Sequence, residues 1–179
     1  IGHATGVENL TSLSDWSAKT LMRTLNWDDL SWIINRWDGK VILKGIQDVE
    51  DAKMAVKTGA DAIIVSNHGG RQLDGALSSI RSLPSIIEAV GNQIEVWMDG
   101  GIRSGQDVAK AVSLGAKGVM IGRPYIYGLG AMGQKGVSKA LEVIHKELDT
   151  TMALCGERNI TNMTRENLLI PKSFSGNWE

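Results

Sequence analysis

Short apolar runs alternate with amphipathic stretches along most of this chain. Val41-Ile42-Leu43, Ala62-Ile63-Ile64-Val65, Ile94–Met98 and Gly118-Val119-Met120-Ile121 are too short for helices. They are rich enough in β-branched residues to predict buried strands of a parallel sheet. The strands are predicted at Val41–Leu43, Ala62–Val65, Ile94–Met98 and Gly118–Ile121. Between them lie stretches with helical punctuation. Asp48 is positioned to cap a helix that runs to Thr58-Gly59 and buries Ala52, Ala55 and Val56. Pro84 at a first helical position and Gly91 past the end bracket Ser85–Val90. Ser104 and Asp107 make a capping-box pattern for a helix ending at Leu114-Gly115.

Ahead of this alternation, Asn26 caps a helix with Asp28 and Asp29 in its first turn. Leu30, Ile33, Ile34 and Trp37 build one apolar face, and Asp38-Gly39 ends it. The rings of Trp32 and Trp37 are predicted to pack in the core. After the last strand, one long helix is predicted over about Val137–Leu154, with Leu141, Ile144, Leu148 and Met152 on one face. A short helix over Thr164–Leu169 and a loose end follow. Residues 1–25 read as a long loop with a short helix around Trp16–Met22. The expected organisation is one domain: loop and leading helix over 1–40, βα units over 41–156, and a tail over 157–179.

An internal repeat strengthens the alternating βα reading. Residues 45–66 align without a gap on residues 101–122, an offset of 56. Seven pairs are identical: Gly45/Gly101, Ile46/Ile102, Asp51/Asp107, Ala55/Ala111, Val56/Val112, Gly59/Gly115 and Ala60/Ala116. Repeated βα units mark a parallel sheet with helical crossovers, as in a (β/α) barrel. A complete eight-stranded barrel usually takes about 250 residues, and this chain has 179.

Composition removes several classes. With 19 basic and 20 acidic residues the net charge is −1, so the basic footprint of a nucleic-acid binder is absent. Cys155 is the single cysteine, which excludes an intrachain disulfide and fits a reducing, cytoplasmic compartment. No apolar run is long enough to span a bilayer. Four of the six tryptophans fall within the first 37 residues, a concentration that could touch a membrane surface.

The chemistry gathers where strands end. In order, these ends carry Lys44; Ser66 with His68 and Arg71; Asp99 with Gly100, Gly101 and Arg103; and Gly122 with Arg123. Parallel strands share one C-terminal edge, so these groups should meet on one rim. His68 can move a proton near neutral pH, and Arg71 can grip a carboxylate with two parallel hydrogen bonds. Gly-Gly before a capped helix, with Arg103 and Arg123 nearby, suits a phosphate.

Leu43-Lys44-Gly45-Ile46, the stretch Ser66-Asn67-His68-Gly69-Gly70-Arg71-Gln72-Leu73-Asp74, Met98–Arg103 and Ile121–Pro124 resemble the FMN-dependent α-hydroxy acid oxidase/dehydrogenase family. That family includes L-lactate dehydrogenase, mandelate dehydrogenase and glycolate oxidase types. Order and spacing agree from about Trp27 to Leu169, and Ser78 with Leu83-Pro84 points toward the bacterial lactate branch. The resemblance implies a (β/α)8 TIM barrel, of which this chain is similar to the second half, about strands five to eight. It implies oxidation of an L-2-hydroxy acid, foremost L-lactate, to the 2-keto acid, with quinone, cytochrome or oxygen as electron acceptor. His68 would be the base and Arg71 the carboxylate binder. Lys44, Ser66 and Asp99 would contact FMN, while Gly100, Gly101, Ile102, Arg103, Gly122 and Arg123 would hold its phosphate.

Two rivals differ in a readable feature. A phosphate-binding barrel of the IMP dehydrogenase type shares Asp-Gly-Gly-Ile-Arg but needs a cysteine at the rim, and Cys155 falls near the end of the last long helix instead. A truncated, non-catalytic half-barrel would bind flavin or another chain only. A lone half-barrel also leaves strand edges open, so the chain is expected to associate with itself or with an N-terminal half.

Overall fold

In a computed structural model, Trp16 and residues 24–175 are described; the short helix predicted around Trp16–Met22 otherwise falls outside them. Four parallel strands form one sheet in the order β1-β2-β3-β4: Ile42–Ile46, Ala62–Val65, Glu95–Met98 and Gly118–Val119. Helix α1 (Trp27–Arg36) precedes the sheet. The crossovers are α2 (Val49–Thr58), α3 (Ser79–Val90) and α4 (Gly105–Ser113). Two helices follow β4, α5 (Arg123–Met132) and α6 (Gln134–Leu154). Strand order equals chain order, as it must when each crossover returns the chain to the neighbouring strand.

The core lies between the sheet and α2–α4. Ile63 and Val65 of β2 and Val96 and Met98 of β3 pack on Ala52, Ala55, Leu83, Ile86, Val90, Ala111 and Leu114. All four residues of β2 are buried, which is why that strand reads as an unbroken apolar run. Val56 is only half-buried.

The 56-residue repeat is structural. Asp48 and Ser104 cap α2 and α4, each accepting the backbone N–H three residues on. Asp107 completes the predicted capping box by accepting the Ser104 N–H at 3.0 Å. Gly59 (φ 83°) and Gly115 (φ 106°) take the left-handed conformation at the helix ends. Ala60 and Ala116 then donate to Ala55 and Ala111 at 3.3 and 3.1 Å. These are the closing bonds of a Schellman-type end.

Several expectations are corrected. Strand β1 does not stop at Leu43: it continues through Lys44 and Gly45 to Ile46. A glycine bulge (Gly45, φ 103°) shifts the register between Lys44 and Ile46 and lets pairing with Val65 resume. Helix α3 begins at Ser79, so Pro84 lies inside it rather than at its first position. The cost of its missing N–H is offset by burial of Leu83, Ile86 and Val90. The predicted long helix is preceded by a second one, α5, with Pro124 in its first turn. Gly133 (φ 61°) separates the pair, and Gly128 and Gly136 let the helices touch: a Cβ on either would overlap the other's carbonyl. Leu141, predicted on one face of the long helix with Ile144, Leu148 and Met152, is exposed while those three are half-buried.

Trp32 and Trp37 are also not core residues, being 63% and 62% exposed. The Arg36 guanidinium sits 5.2 Å from the Trp32 ring centre, and the Trp37 indole N–H donates to the Lys40 carbonyl at 3.3 Å. Finally, the tail forms three short 3-10 turns, Ile160–Asn162, Arg165–Asn167 and Lys172–Ser175, instead of one helix. β4 is shorter than predicted, since Met120 and Ile121 lie beyond its ladder.

Candidate active site

The ends of β1, β2 and β3 meet in one network. Lys44 Nζ is 2.8 Å from Asp99 Oδ2 and donates to Ser66 Oγ at 3.1 Å. The parallel register makes this unavoidable, because Lys44 pairs with Ile64, two residues before Ser66, and Val65 pairs with Met98. Ser66 is 1% exposed, and its oxygen also accepts the His68 backbone N–H at 3.1 Å. With the Lys44 ammonium and the His68 amide both on Ser66 Oγ, its own proton is left to donate elsewhere. Asp99 is half-buried, and its Oδ1 is buried with no hydrogen-bond partner among the described residues. An anionic oxygen in that setting calls for a donor from a ligand.

His68 opens a short 3-10 turn, His68–Gly70, and has φ 54°, the one left-handed non-glycine residue among those described. That strain is held on several sides. Asn67 caps the turn by accepting the Gly69 N–H at 3.0 Å. The Asn67 N–H in turn donates to Ser79 Oγ at 3.1 Å. The imidazole lies against Gly45, where a Cβ would come within 2.6 Å of His68 Cε1. The bulge that carries Lys44 to Asp99 thereby also makes room for the histidine. The imidazole and Arg71 are both exposed on the same turn.

The arginines and glycines of the rim fall into two groups. Arg123 donates to the Gly69 carbonyl at 3.0 Å, reaching from the start of α5 onto the histidine turn. Gly100 and Gly101 have φ 89° and 84°, and a Cβ at Gly101 would meet only open space. Gly122 caps α5 with no side-chain bond and is equally open. The backbone N–H groups of Arg103 and Ser104, by contrast, are both taken by Asp107 Oδ2 at 3.0 Å. Ile102 is buried in the core. Lys44, Ser66, His68 and Asp99 are thus joined directly, and Arg123 through Gly69; Arg71 and Arg103 stand at the surface of the same loops. Gly45, Asn67 and Ser79 have no site role in the sequence reading. Gly45 beside Lys44 was readable as a bulge, but nothing local marks Ser79 as a partner of Asn67.

A parallel sheet with polar side chains and open glycines at one rim is the frame of a cofactor-binding (β/α) enzyme, and the fold is part of a (β/α)8 barrel. Residues 2–170 match the FMN-dependent dehydrogenase family, and the chain belongs to it. It is 49% identical over 168 residues to an L-lactate dehydrogenase of Caulobacter sp. (strain K31), covering 94% of this chain and 43% of that protein. An L-lactate dehydrogenase of Azorhizobium caulinodans is 50% identical over 161 residues, covering 90% and 42%. Among solved structures, the monotopic membrane protein (S)-mandelate dehydrogenase superposes with TM-score 0.84 at 35% identity, over 92% of this chain and 44% of that one. A mandelate oxidase variant with a monooxide FMN adduct gives 0.76 at 47% identity, over 79% and 45%. The chain therefore spans less than half the length of these relatives.

Proposed function

We propose that this chain supplies the base, the carboxylate binder and much of the cofactor cradle for FMN-dependent oxidation of a small L-2-hydroxy acid, foremost L-lactate, to its 2-keto acid. The observation that carries the reading is the Lys44–Ser66–Asp99 network with the strained His68 pinned beside it. The residues fit the cofactor: buried Asp99 Oδ1 needs a donor, Ser66 has a proton to give, and Lys44 offers fixed positive charge. Open backbone at Gly100, Gly101 and Gly122, with Arg103 and Arg123 nearby, suits its phosphate; buried Ile102 supports that loop from below. FMN, when bound, would take up the two electrons and one of the two protons that the substrate loses. Arg71 grips the substrate carboxylate, and His68 takes a proton as the alcohol becomes a ketone.

Electrons leave to an external acceptor of the quinone, cytochrome or oxygen class. Nothing helical among the described residues is long and apolar enough to cross a membrane. We place the protein in the cytoplasm with peripheral membrane contact, which the likeness to a monotopic membrane protein and the exposed Trp32 and Trp37 support. Strands β1 and β4 are free edges among the described residues, so closing the barrel calls for association with a second copy or an N-terminal half.

An absorbance spectrum of the purified protein tests the reading. Flavin bands that bleach on anaerobic addition of L-lactate are expected. A yellow protein that does not bleach would favour a non-catalytic flavin-binding half-barrel, and a colourless one would remove FMN.

A further inference from the structure

We infer that Ser79 is a positioning residue that sets the His68–Arg71 turn against the Asp99–Gly100 loop. The inference rests on the roles proposed for His68 and Arg71. Ser79 is the first residue of α3 and is 2% exposed. It does not cap its own helix; its oxygen accepts the Asn67 N–H at 3.1 Å, twelve residues back in the chain. Asn67 then fixes the turn from its other end: its side chain accepts the Gly69 N–H at 3.0 Å, and its carbonyl accepts the Gly70 N–H at 3.0 Å. The backbone N–H groups of His68, Gly69 and Gly70 therefore all donate to Ser66 or Asn67, and Ser79 is what anchors Asn67 to a helix.

The same hydroxyl touches the neighbouring loop. A Cβ at Gly100 would come within 2.8 Å of Ser79 Oγ and 3.0 Å of Asn67 Oδ1, so the Gly100 backbone packs directly on both. Gly100 follows Asp99, whose carboxylate holds Lys44. Ser79 consequently sits at the junction of the end of β2, the end of β3 and the start of α3. Its buried neighbour Ser82 makes a useful contrast: its Oγ has no hydrogen-bond partner among the described residues. Of the two buried serines on α3, one is wired to the site and the other is packing.

Removing the hydroxyl leaves the Asn67 N–H unpaired and frees the turn to shift, and a small misplacement of reacting groups costs about tenfold to a hundredfold in rate. The test uses the FMN-loaded enzyme that contains this chain, with Ser79→Ala, Ser79→Thr, Ser82→Ala and His68→Gln compared per bound FMN. Expected is a fall in kcat of about tenfold or more for Ser79→Ala, with most of it restored by Ser79→Thr and none lost in Ser82→Ala. Wild-type kcat per FMN in Ser79→Ala, or a loss that Ser79→Thr does not restore, would overturn the inference. So would FMN lost in proportion to activity, since Ser79 would then be only structural. Unimpaired turnover in His68→Gln would instead strike at the role of His68, leaving that failure distinct from this one.

Discussion

The two βα units related by the 56-residue offset share a backbone and differ in what they present. Both have a glycine with positive φ at the strand end, Gly45 and Gly101, and both end their helices on a left-handed glycine. Yet the first unit delivers side chains: Lys44 precedes its glycine, and Ser66 and His68 follow its next strand. The second has Gly100 where the first has Lys44, and Gly122 where it has Ser66. At those two positions it offers backbone, while Asp99, just before Gly100, reaches Lys44. On the function proposed above, one scaffold thus supplies a proton-handling turn and a rim left open at Gly101 and Gly122, the two features a flavin mononucleotide and its substrate would meet.

The sharpest way to break this comparison is to remove the proton-handling group. His68→Gln keeps size and polarity but not basicity near neutral pH. In the FMN-loaded enzyme, turnover should fall by a factor on the order of 10²–10⁴ while FMN stays bound. Full turnover per FMN would assign proton transfer elsewhere.

Next come the paired glycines. A Cβ at Gly45 would collide with the imidazole, at 2.6 Å from His68 Cε1, whereas at Gly101 it would meet nothing within 4 Å. Both substitutions carry similar backbone strain, on the order of 1–2 kcal/mol. Gly45→Ala should therefore reduce kcat per FMN well beyond Gly101→Ala, whose effect should fall on FMN affinity. Equal losses of turnover would mean that Gly45 serves the bulge alone.

Much of this was legible in the sequence, and the two units show why. Their caps, terminators and apolar runs are local signals, so α2, α4 and β2 could be read from neighbouring residues. The site residues were readable too, because strand ends of a parallel sheet share an edge. What escaped was set by distant packing. Gly128, Gly130 and Gly133 look like a loop in sequence, but Gly128 serves helix contact with Gly136 in α5 and α6. Pro84 looks like a helix start until burial of the surrounding turn is known. Trp37 fits the apolar face read for the leading helix, but α1 contains no buried residue. Ser79 could not be linked to Asn67 without the register of three strands.

The helix-end glycines sharpen the comparison on stability. Gly59 faces open space, while a Cβ at Gly115 would come within 2.8 Å of Ile87 Cγ2. Gly59→Ala should cost only the left-handed strain, about 1–2 kcal/mol. Gly115→Ala should add an overpacking cost of about 1–3 kcal/mol. Chemical denaturation of the two variants measures the gap, and equal midpoints would show that the Ile87 side chain simply moves aside.

The smallest expected effect lies at the start of the second strand in each unit, where Asp61 and Lys117 occupy equivalent positions. Lys117 donates its backbone N–H to the Val96 carbonyl at 2.8 Å, and Asp61 likewise donates to the Val41 carbonyl at 2.9 Å. Only Asp61 adds a side-chain clamp, accepting the Lys40 ammonium at 2.6 Å and the Val41 N–H at 2.8 Å. Those two bonds, the lysine first, hold its carboxyl below the ordinary value of 3.8, while Asp61 raises Lys40 above 10.5. A depressed carboxyl contributes stability above its unfolded-state pKa and loses it as pH falls through the folded one. A raised lysine contributes below its unfolded-state pKa and loses it as pH climbs through the folded one. The first unit should therefore lose a little stability below about pH 4 and again above about pH 10. Lys40 is largely exposed, so salt should weaken the effect. Asp61→Asn should flatten both limbs without touching FMN binding. Melting temperature across pH, at low and high salt, measures this, and parallel curves for the two proteins would show that the clamp adds nothing that distinguishes the units.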